Sequence, residues 1–371
     1  MDLRRQVGGD HWTAGVMLPS RRDLARQYAV SLVTLDRAIG PLLADGTLRA
    51  DDRRGTFVST PPTGTVTNGL SLPTTEATQR TGSVGIVASL PRPEGQEYLI
   101  LHELEQVFSQ AGRPTWVLNR AQAGEEAERI DLGDAITSAL QEKLAGLIVI
   151  CLDMDTEQIA EQISQVDLGD TPTVCVLAGS LTLSIPHVFY DNRPAGYQAA
   201  QHLRENGWDE LTVLAPFTAS WVSERIAGVR DALTYAQSPA SRLQVLSGEG
   251  REWDSRSEPR DFGYETAQAA LASGWRPTGG VICVNDGVAF GFLEAAGEVG
   301  LEAGRDFAVL GFDDDPHARS IGLTSLRPPM QGMGREAARL LLEALRGVHG
   351  SLQVRLRAHV IPRASTSRRK P

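Results

Sequence analysis

The chain has 371 residues, 41% of them hydrophobic and 22% charged, with a formal net charge of −10. That length exceeds one ordinary core and points to two or three domains, and the composition excludes a disordered or fibrous chain. No apolar run reaches the roughly 18 residues of a membrane-spanning helix, and the segment opening Met1-Asp2-Leu3-Arg4-Arg5 lacks the apolar centre of a signal peptide, so the expected location is cytoplasmic with no membrane partner.

Charge is uneven. Residues 1–60 hold nine arginines against seven aspartates, a net +2, which leaves −12 on the remainder. An acidic body repels DNA and leaves phosphate contact to the head. Only two lysines occur, Lys143 and Lys370, neither where a phosphate-binding loop or a Schiff base would need one. Cys151, Cys175 and Cys283 sit singly in apolar runs and are expected as buried core thiols. Seven dispersed histidines form no HxxxH or HExxH, so no metal or other cofactor is expected.

In chain order, Leu18-Pro19-Ser20-Arg21-Arg22-Asp23-Leu24-Ala25 opens a helix, with Pro19 and Ser20 as start signal and Leu24-Ala25 on the apolar face. Val30-Ser31 turns the chain into a second helix, with Ser31 as its N-cap. Thr47–Ala50 and Arg53–Val58 pair as a basic hairpin. Helix, turn, helix and hairpin make a winged helix-turn-helix, whose second helix would enter the major groove while the wing touches backbone or minor groove. Residues 61–82, rich in Pro, Gly and Thr, read as a linker. The expected domains are thus 1–60, a winged helix-turn-helix head; 61–82, the linker; 83–363, a large domain to which the resemblance given below assigns effector binding and dimerisation; and 364–371, a tail.

Beyond the linker, short β-rich runs alternate with helix-length amphipathic stretches. Strands are predicted at Val84–Ser89, Gly146–Leu152, Thr173–Ala178, His187–Tyr190, Leu211–Ala215, Gly280–Val284 and Phe307–Phe312. Nearly continuous apolar runs of this kind suit parallel strands buried on both faces. Helices are predicted over Tyr98–Ala111 and from Met333, where apolar residues recur at spacings of three and four. The expected fold class is α/β: a winged helix-turn-helix followed by two doubly wound parallel sheets.

Ligands of such sheets bind beyond the strand carboxyl ends. Asn285 and Asp286 follow the run Gly279–Val284, and Asp313 follows Ala308–Phe312. With Arg225 near the start of a helix, they supply the mixed donors and acceptors that polyols need. Trp221, four residues before Arg225 and so on the same helical face, suits either a sugar platform or lobe packing. Asp313 suits either a ligand group or a loop cap, and Asn285 is expected to cap the helix it opens. Asp191-Asn192 reads either as pocket wall or as hinge and helix cap. Arg225 and Asp313 lie outside the apolar runs, so replacing either should leave folding intact.

The head resembles GntR-type regulators through its LPS-x-R-D-LA opening, its Val30-Ser31 turn, the Asp45-Gly46-Thr47-Leu48 connector and the Gly55-Thr56-Phe57-Val58 wing. The resemblance implies DNA contacts from Arg22, Ser31, Thr34, Arg54 and Gly55, with Arg37 and Arg53 as further basic candidates. Leu32 stands where that family commonly has Arg, Asp36 replaces a helix arginine, and Gly40-Pro41 interrupts the second helix. From Gly82 onward the chain resembles the periplasmic-binding-protein-like core of LacI/GalR-type repressors. The matching stretches include Asp191–Gly196, Glu224–Arg230, Val284-Asn285-Asp286, Val309–Asp314 and Leu323–Pro328. That resemblance implies a homodimer on a pseudo-palindromic double-stranded operator, with Arg225, Asn285 and Asp313 binding a sugar-like effector. It also implies two lobes, with chain crossings near Tyr190–Arg193, Asp313–Arg319 and Arg327–Pro329. The expected function is a repressor of carbohydrate-related genes released by its effector. The alternatives are a small-molecule-binding protein whose head has lost specific DNA binding, or an enzyme, for which GxSxG, P-loop and GxGxxG motifs are all missing.

Overall fold

The computed structural model describes residues 18–19, 24, 48–51, 55–58, 82–90, 95–121, 130–235, 243–248, 250–253, 258–348, 350 and 352–367. The chain divides into two compact units, Met1–Thr65 and Val66–Pro371. In the first, strands β1 (Leu48–Asp51) and β2 (Gly55–Val58) form an antiparallel hairpin in which Leu48 faces Val58 and Asp51 faces Gly55. The Leu18 N–H donates to the Thr56 carbonyl at 2.7 Å, and both Leu18 and Leu24 are buried; Leu24 is one of the two residues expected on the apolar face of the first helix. Arg22, Ser31, Thr34, Arg37, Arg53, Arg54, the departures at Leu32, Asp36 and Gly40-Pro41, and residues 61–81 lie outside the described residues.

The second unit has two lobes, each a six-stranded sheet among the described residues. Lobe 1 runs β3 (Val84–Ala88), α1 (Gln96–Gln110), β4 (Thr115–Asn119), α2 (Leu132–Gln141), β5 (Gly146–Cys151), α3 (Thr156–Ser164), β6 (Thr173–Leu177) and β7 (His187–Tyr190). Lobe 2 continues with α4 (Asn192–Glu205), β8 (Leu211–Ala215), α5 (Ser220–Tyr235), β9 (Leu243–Ser247), α6 (Pro259–Ala272) and β10 (Gly280–Cys283). It is completed by α7 (Asp286–Glu298), β11 (Ala308–Phe312), the short α8 (Pro316–Ser320) and β12 (Thr324–Arg327). The chain then returns to lobe 1 for α9 (Met330–Ala344) and β13 (Gln353–Leu356), and ends in lobe 2 with β14 (His359–Ile361) and a 3-10 turn at Ala364–Thr366.

The sheet orders are β13-β7-β6-β5-β3-β4 and β14-β12-β11-β10-β8-β9, with every pairing parallel except β12 with β14. Central strands are buried on both faces. In β5, Ile148 and Ile150 join one apolar cluster while Leu147, Val149 and Cys151 join another, the two-residue alternation of a strand covered on both sides. Cys151, Cys175 and Cys283 are free, buried thiols. No helix among the described residues is long and apolar enough to cross a membrane.

The chain crosses between lobes at Tyr190–Asn192, Arg327–Met330 and Leu356–His359. The expected crossing at Asp313–Arg319 is therefore corrected. That segment carries α8 from β11 to β12, which are neighbours in one sheet. The third crossing lies instead between β13 and β14, strands too short and half-exposed to leave an apolar run. β12 escaped notice for another reason. Its Thr324 and Ser325 are fully buried, made tolerable by hydrogen bonds to Thr366, Ser365 and Asp286.

Candidate functional site

The cleft between the lobes contains a cavity of about 450 Å³, walled by strand carboxyl ends from both sheets. Lobe 1 contributes Leu152 after β5, Ala178 after β6, Tyr190 at the end of β7 and Gln96 at the start of α1. Lobe 2 contributes Trp221 and Arg225 from α5, Asn285 after β10 and Asp313 after β11. Four of the five sequence-derived candidates, Trp221, Arg225, Asn285 and Asp313, thus share one cavity.

Arg225 is the most embedded of them, 4% exposed. Its Nε donates to Asn192 Oδ1 at 2.9 Å, and its two terminal nitrogens donate to the Val284 carbonyl and the Tyr190 hydroxyl. The guanidinium also packs on Trp221 and Phe312, 4.6 and 4.3 Å from the ring centroids. Those bonds use three of five N–H groups, so two remain for a ligand. The expectation that Arg225 can be removed without harm to folding is corrected by this geometry. Absence from an apolar run does not mean exposure, because a buried guanidinium needs polar partners close by.

Asn285 caps α7, its side chain accepting from Val288 N at 2.8 Å, and lines the cavity at the same time. Asp313 and Asp314 both have positive φ, 110° and 54°, a conformation costly for residues other than glycine. The turn is held from outside: the Asp314 carboxylate is gripped by Arg327, at 2.6 Å, and by Arg363. Its N–H donates to Ser325 Oγ at 2.9 Å. Asp313 is thereby aimed at the cavity, where burial pushes its carboxyl up to about 6 against the opposing pull of Arg225 and a hydrogen bond from Gln96. Beneath it, Asp286 is 1% exposed and accepts from Ser325 Oγ and Asp315 N, both at 2.8 Å. Burial, reinforced by neighbouring Asp313, holds Asp286 well above the usual carboxylate range.

Aromatic rings complete the walls. Trp221 meets Trp253 edge-on at 5.7 Å and Phe217 at 5.8 Å, and Phe290 lines the cavity from α7. Asp191 is placed elsewhere. It pairs with Arg355 at 3.2 Å beside the first and third crossings and lines a separate surface groove with Arg193 and Tyr197. Of the candidate DNA contacts only Gly55, the first residue of β2, is described. Sequence reasoning missed Gln96, Tyr190, Trp253 and Phe290. Tyr190 carried a usable signal, a polar tip closing the apolar strand His187–Tyr190, while the other three sit in stretches without periodic pattern. Among the described residues no cluster of three or more His, Cys, Asp or Glu could hold a metal.

Residues 1–58 match the model for bacterial regulatory proteins of the gntR family, and residues 200–366 match a periplasmic binding protein-like domain. The chain is 27% identical over 216 residues to the HTH-type transcriptional repressor PurR of Vibrio parahaemolyticus, covering 57% of this chain and 61% of that repressor. It is 28% identical over 209 residues to PurR of Escherichia coli O1:K1, covering 55% and 58%. Its fold is shared with a LacI-family regulator of Corynebacterium glutamicum (TM-score 0.59, 21% identity, 77% of this chain and 99% of that one). It is shared also with the Lac repressor dimer bound to operator and the anti-inducer ONPF (TM-score 0.61, 22% identity, 76% and 81%). A third similar structure is an Enterococcus faecium LacI-family regulator with bound ribose (TM-score 0.57, 21% identity, 78% and 100%).

Proposed function

A gntR-type head and a periplasmic-binding-protein-like body occur in one chain, and from that premise we propose that the protein is a ligand-responsive transcription repressor. It binds double-stranded operator DNA as a homodimer and releases it when a sugar-like effector closes the lobes. The observation that carries this reading is the cavity: a buried arginine, a helix-capping asparagine and a turn-strained aspartate converge between two lobes joined by three crossings. Hydroxyl groups, donor and acceptor at once, suit that mixture, and the aromatic rings of Trp221, Trp253 and Phe290 line the same cavity for the apolar part of a sugar. The E. faecium regulator with ribose and the Lac repressor with ONPF belong to the same fold, which favours a small polar effector here. The chain's relatives are repressors rather than enzymes, and the function proposed involves no catalysis.

A second reading rests on Leu32 and Asp36, which stand where the resembling regulators commonly carry arginine. The two readings separate in one experiment. Fluorescence anisotropy with the DNA upstream of the chain's own coding sequence should show specific binding. Arg22→Ala and Arg54→Ala should each weaken it and lower the slope of log affinity against log salt by about 1, the loss of one phosphate contact. Variants with wild-type affinity and slope would contradict the assignment of those contacts, and no specific binding by the wild-type chain would favour the second reading.

A further inference from the structure

Beyond the crossings, the lobes are joined at a point outside the cavity. Asp155 precedes α3 in lobe 1, and Ser220 opens α5 in lobe 2. One carboxylate oxygen of Asp155 accepts from Glu157 N at 3.2 Å and so caps α3. The other accepts from Ser220 N at 2.8 Å. The first N–H groups of a helix have no partner within it, so lobe 1 supplies lobe 2 with a cap for α5. Two helix N-termini, each carrying partial positive charge, converge on a single anion. Neither Asp155 nor Ser220 lines the cavity, yet the next residue, Trp221, does, and Arg225 follows one turn later.

We infer that Asp155 is a positioning residue that latches the lobes closed over the cavity by bonding the Ser220 N–H. A hydrogen bond at 2.8 Å is lost once its ends part by about an ångström, so a hinge rotation that separates the start of α3 from the start of α5 breaks this one. The α3 cap lies wholly within lobe 1 and survives opening, which confines the cost to the cross-lobe half. Gln96 and Asp313 also bond across the cleft, but Asp313 faces the cavity, so a ligand using that carboxylate competes with Gln96. The Asp155 latch has no such competitor and holds in both empty and filled states. It therefore biases the ligand-free chain toward closure and sets how much of the binding energy is spent on closing. The effect on effector affinity rests on the regulator reading above, whereas the latch itself belongs to the ligand-free chain.

The test uses the full ligand-free chain, so its outcome does not depend on DNA binding or on knowing the effector. Asp155→Ala removes the acceptor. Ser220→Pro removes only the donor, at a first helical position where proline is tolerated and with the α3 cap left intact. Amide exchange at Ser220 should speed up about tenfold in Asp155→Ala, the fold-change expected from losing one charge-assisted bond. Small-angle scattering should show both variants more open than wild type, and the double variant no more open than either single one, because one shared bond is lost. A Ser220 amide that exchanges equally fast in wild type and Asp155→Ala would overturn the latch. So would scattering from both single variants that superimposes on wild type, or a double variant opened by the sum of the two.

Discussion

Arg225→Ala is expected to destabilise the second unit by about 3–5 kcal/mol, the cost of breaking a buried charge network rather than of losing a surface contact. The side chain is 4% exposed and donates to Asn192, Val284 and Tyr190, so its removal strands acceptors that water cannot easily reach. It also empties the space beside the Trp221 and Phe312 rings. Two of those partners span the first crossing: Tyr190 ends β7 in lobe 1, Asn192 opens α4 in lobe 2, and Asn192 in turn donates to the Ala178 carbonyl of lobe 1 at 2.6 Å. Loss of Arg225 should therefore loosen the hinge and remove effector binding together. Arg225→Lys retains the charge but not the planar fork, and should recover only part of either property. Urea denaturation of the two variants checks the stability; a loss under about 1 kcal/mol for Arg225→Ala would contradict the network's role.

Gly228→Ala is expected to rank next, at about 3 kcal/mol, although it adds a single methyl group. A Cβ at position 228 would sit 1.8 Å from the Arg193 carbonyl oxygen and 2.8 Å from Tyr197 N, and one at Gly196 would sit 2.0 Å from the Arg225 carbonyl oxygen. Helices α4 and α5 thus meet backbone to backbone, through a glycine on each side. An added methyl must push them apart, and α5 carries Trp221 and Arg225, so the cavity wall moves with it. Gly297 near the end of α7 provides the control. A Cβ there meets nothing within 4 Å, and Gly297→Ala should be neutral or stabilising by about 0.5–1 kcal/mol through helix propensity. Thermal and urea unfolding of the two alanine variants would test the contrast, and equal stabilities would contradict it.

Which parts of this architecture could be read from the chain follows from how each residue is buried. The seven predicted strands are apolar because both of their faces are covered, and all seven runs end within a residue of the observed strands, as with Gly280–Val284 against β10. The strands that escaped notice are short or half-exposed, as in Gln353–Leu356 and Leu243–Ser247, or polar and internally satisfied, as in Thr324–Arg327. Helix α9 begins three residues before its predicted start at Met333, because Met330 belongs to the hinge and carries no earlier periodic partner. Asn285 and Asp313 were legible as polar residues placed directly after apolar strands. Gln96 and Trp253 were not, since only tertiary folding brings an α1 terminus and a loop after β9 to the same cavity. The burial of Arg225 was also illegible, because its partners lie 33, 35 and 59 residues away in sequence.

The proposed function requires that ligand closure of the lobes and operator binding by the head be coupled. It is tested most directly by titrating a sugar, chosen from a thermal-shift screen, into the full chain with and without saturating operator DNA. Coupling between two sites on one molecule is reciprocal, so operator must change sugar affinity by the same factor that sugar changes operator affinity. A released repressor predicts weaker sugar binding in the presence of operator, by about 5- to 150-fold, the usual range of such coupling. Identical sugar affinities in the two titrations would contradict the account and leave a sensor and a DNA-binding head that merely share a chain.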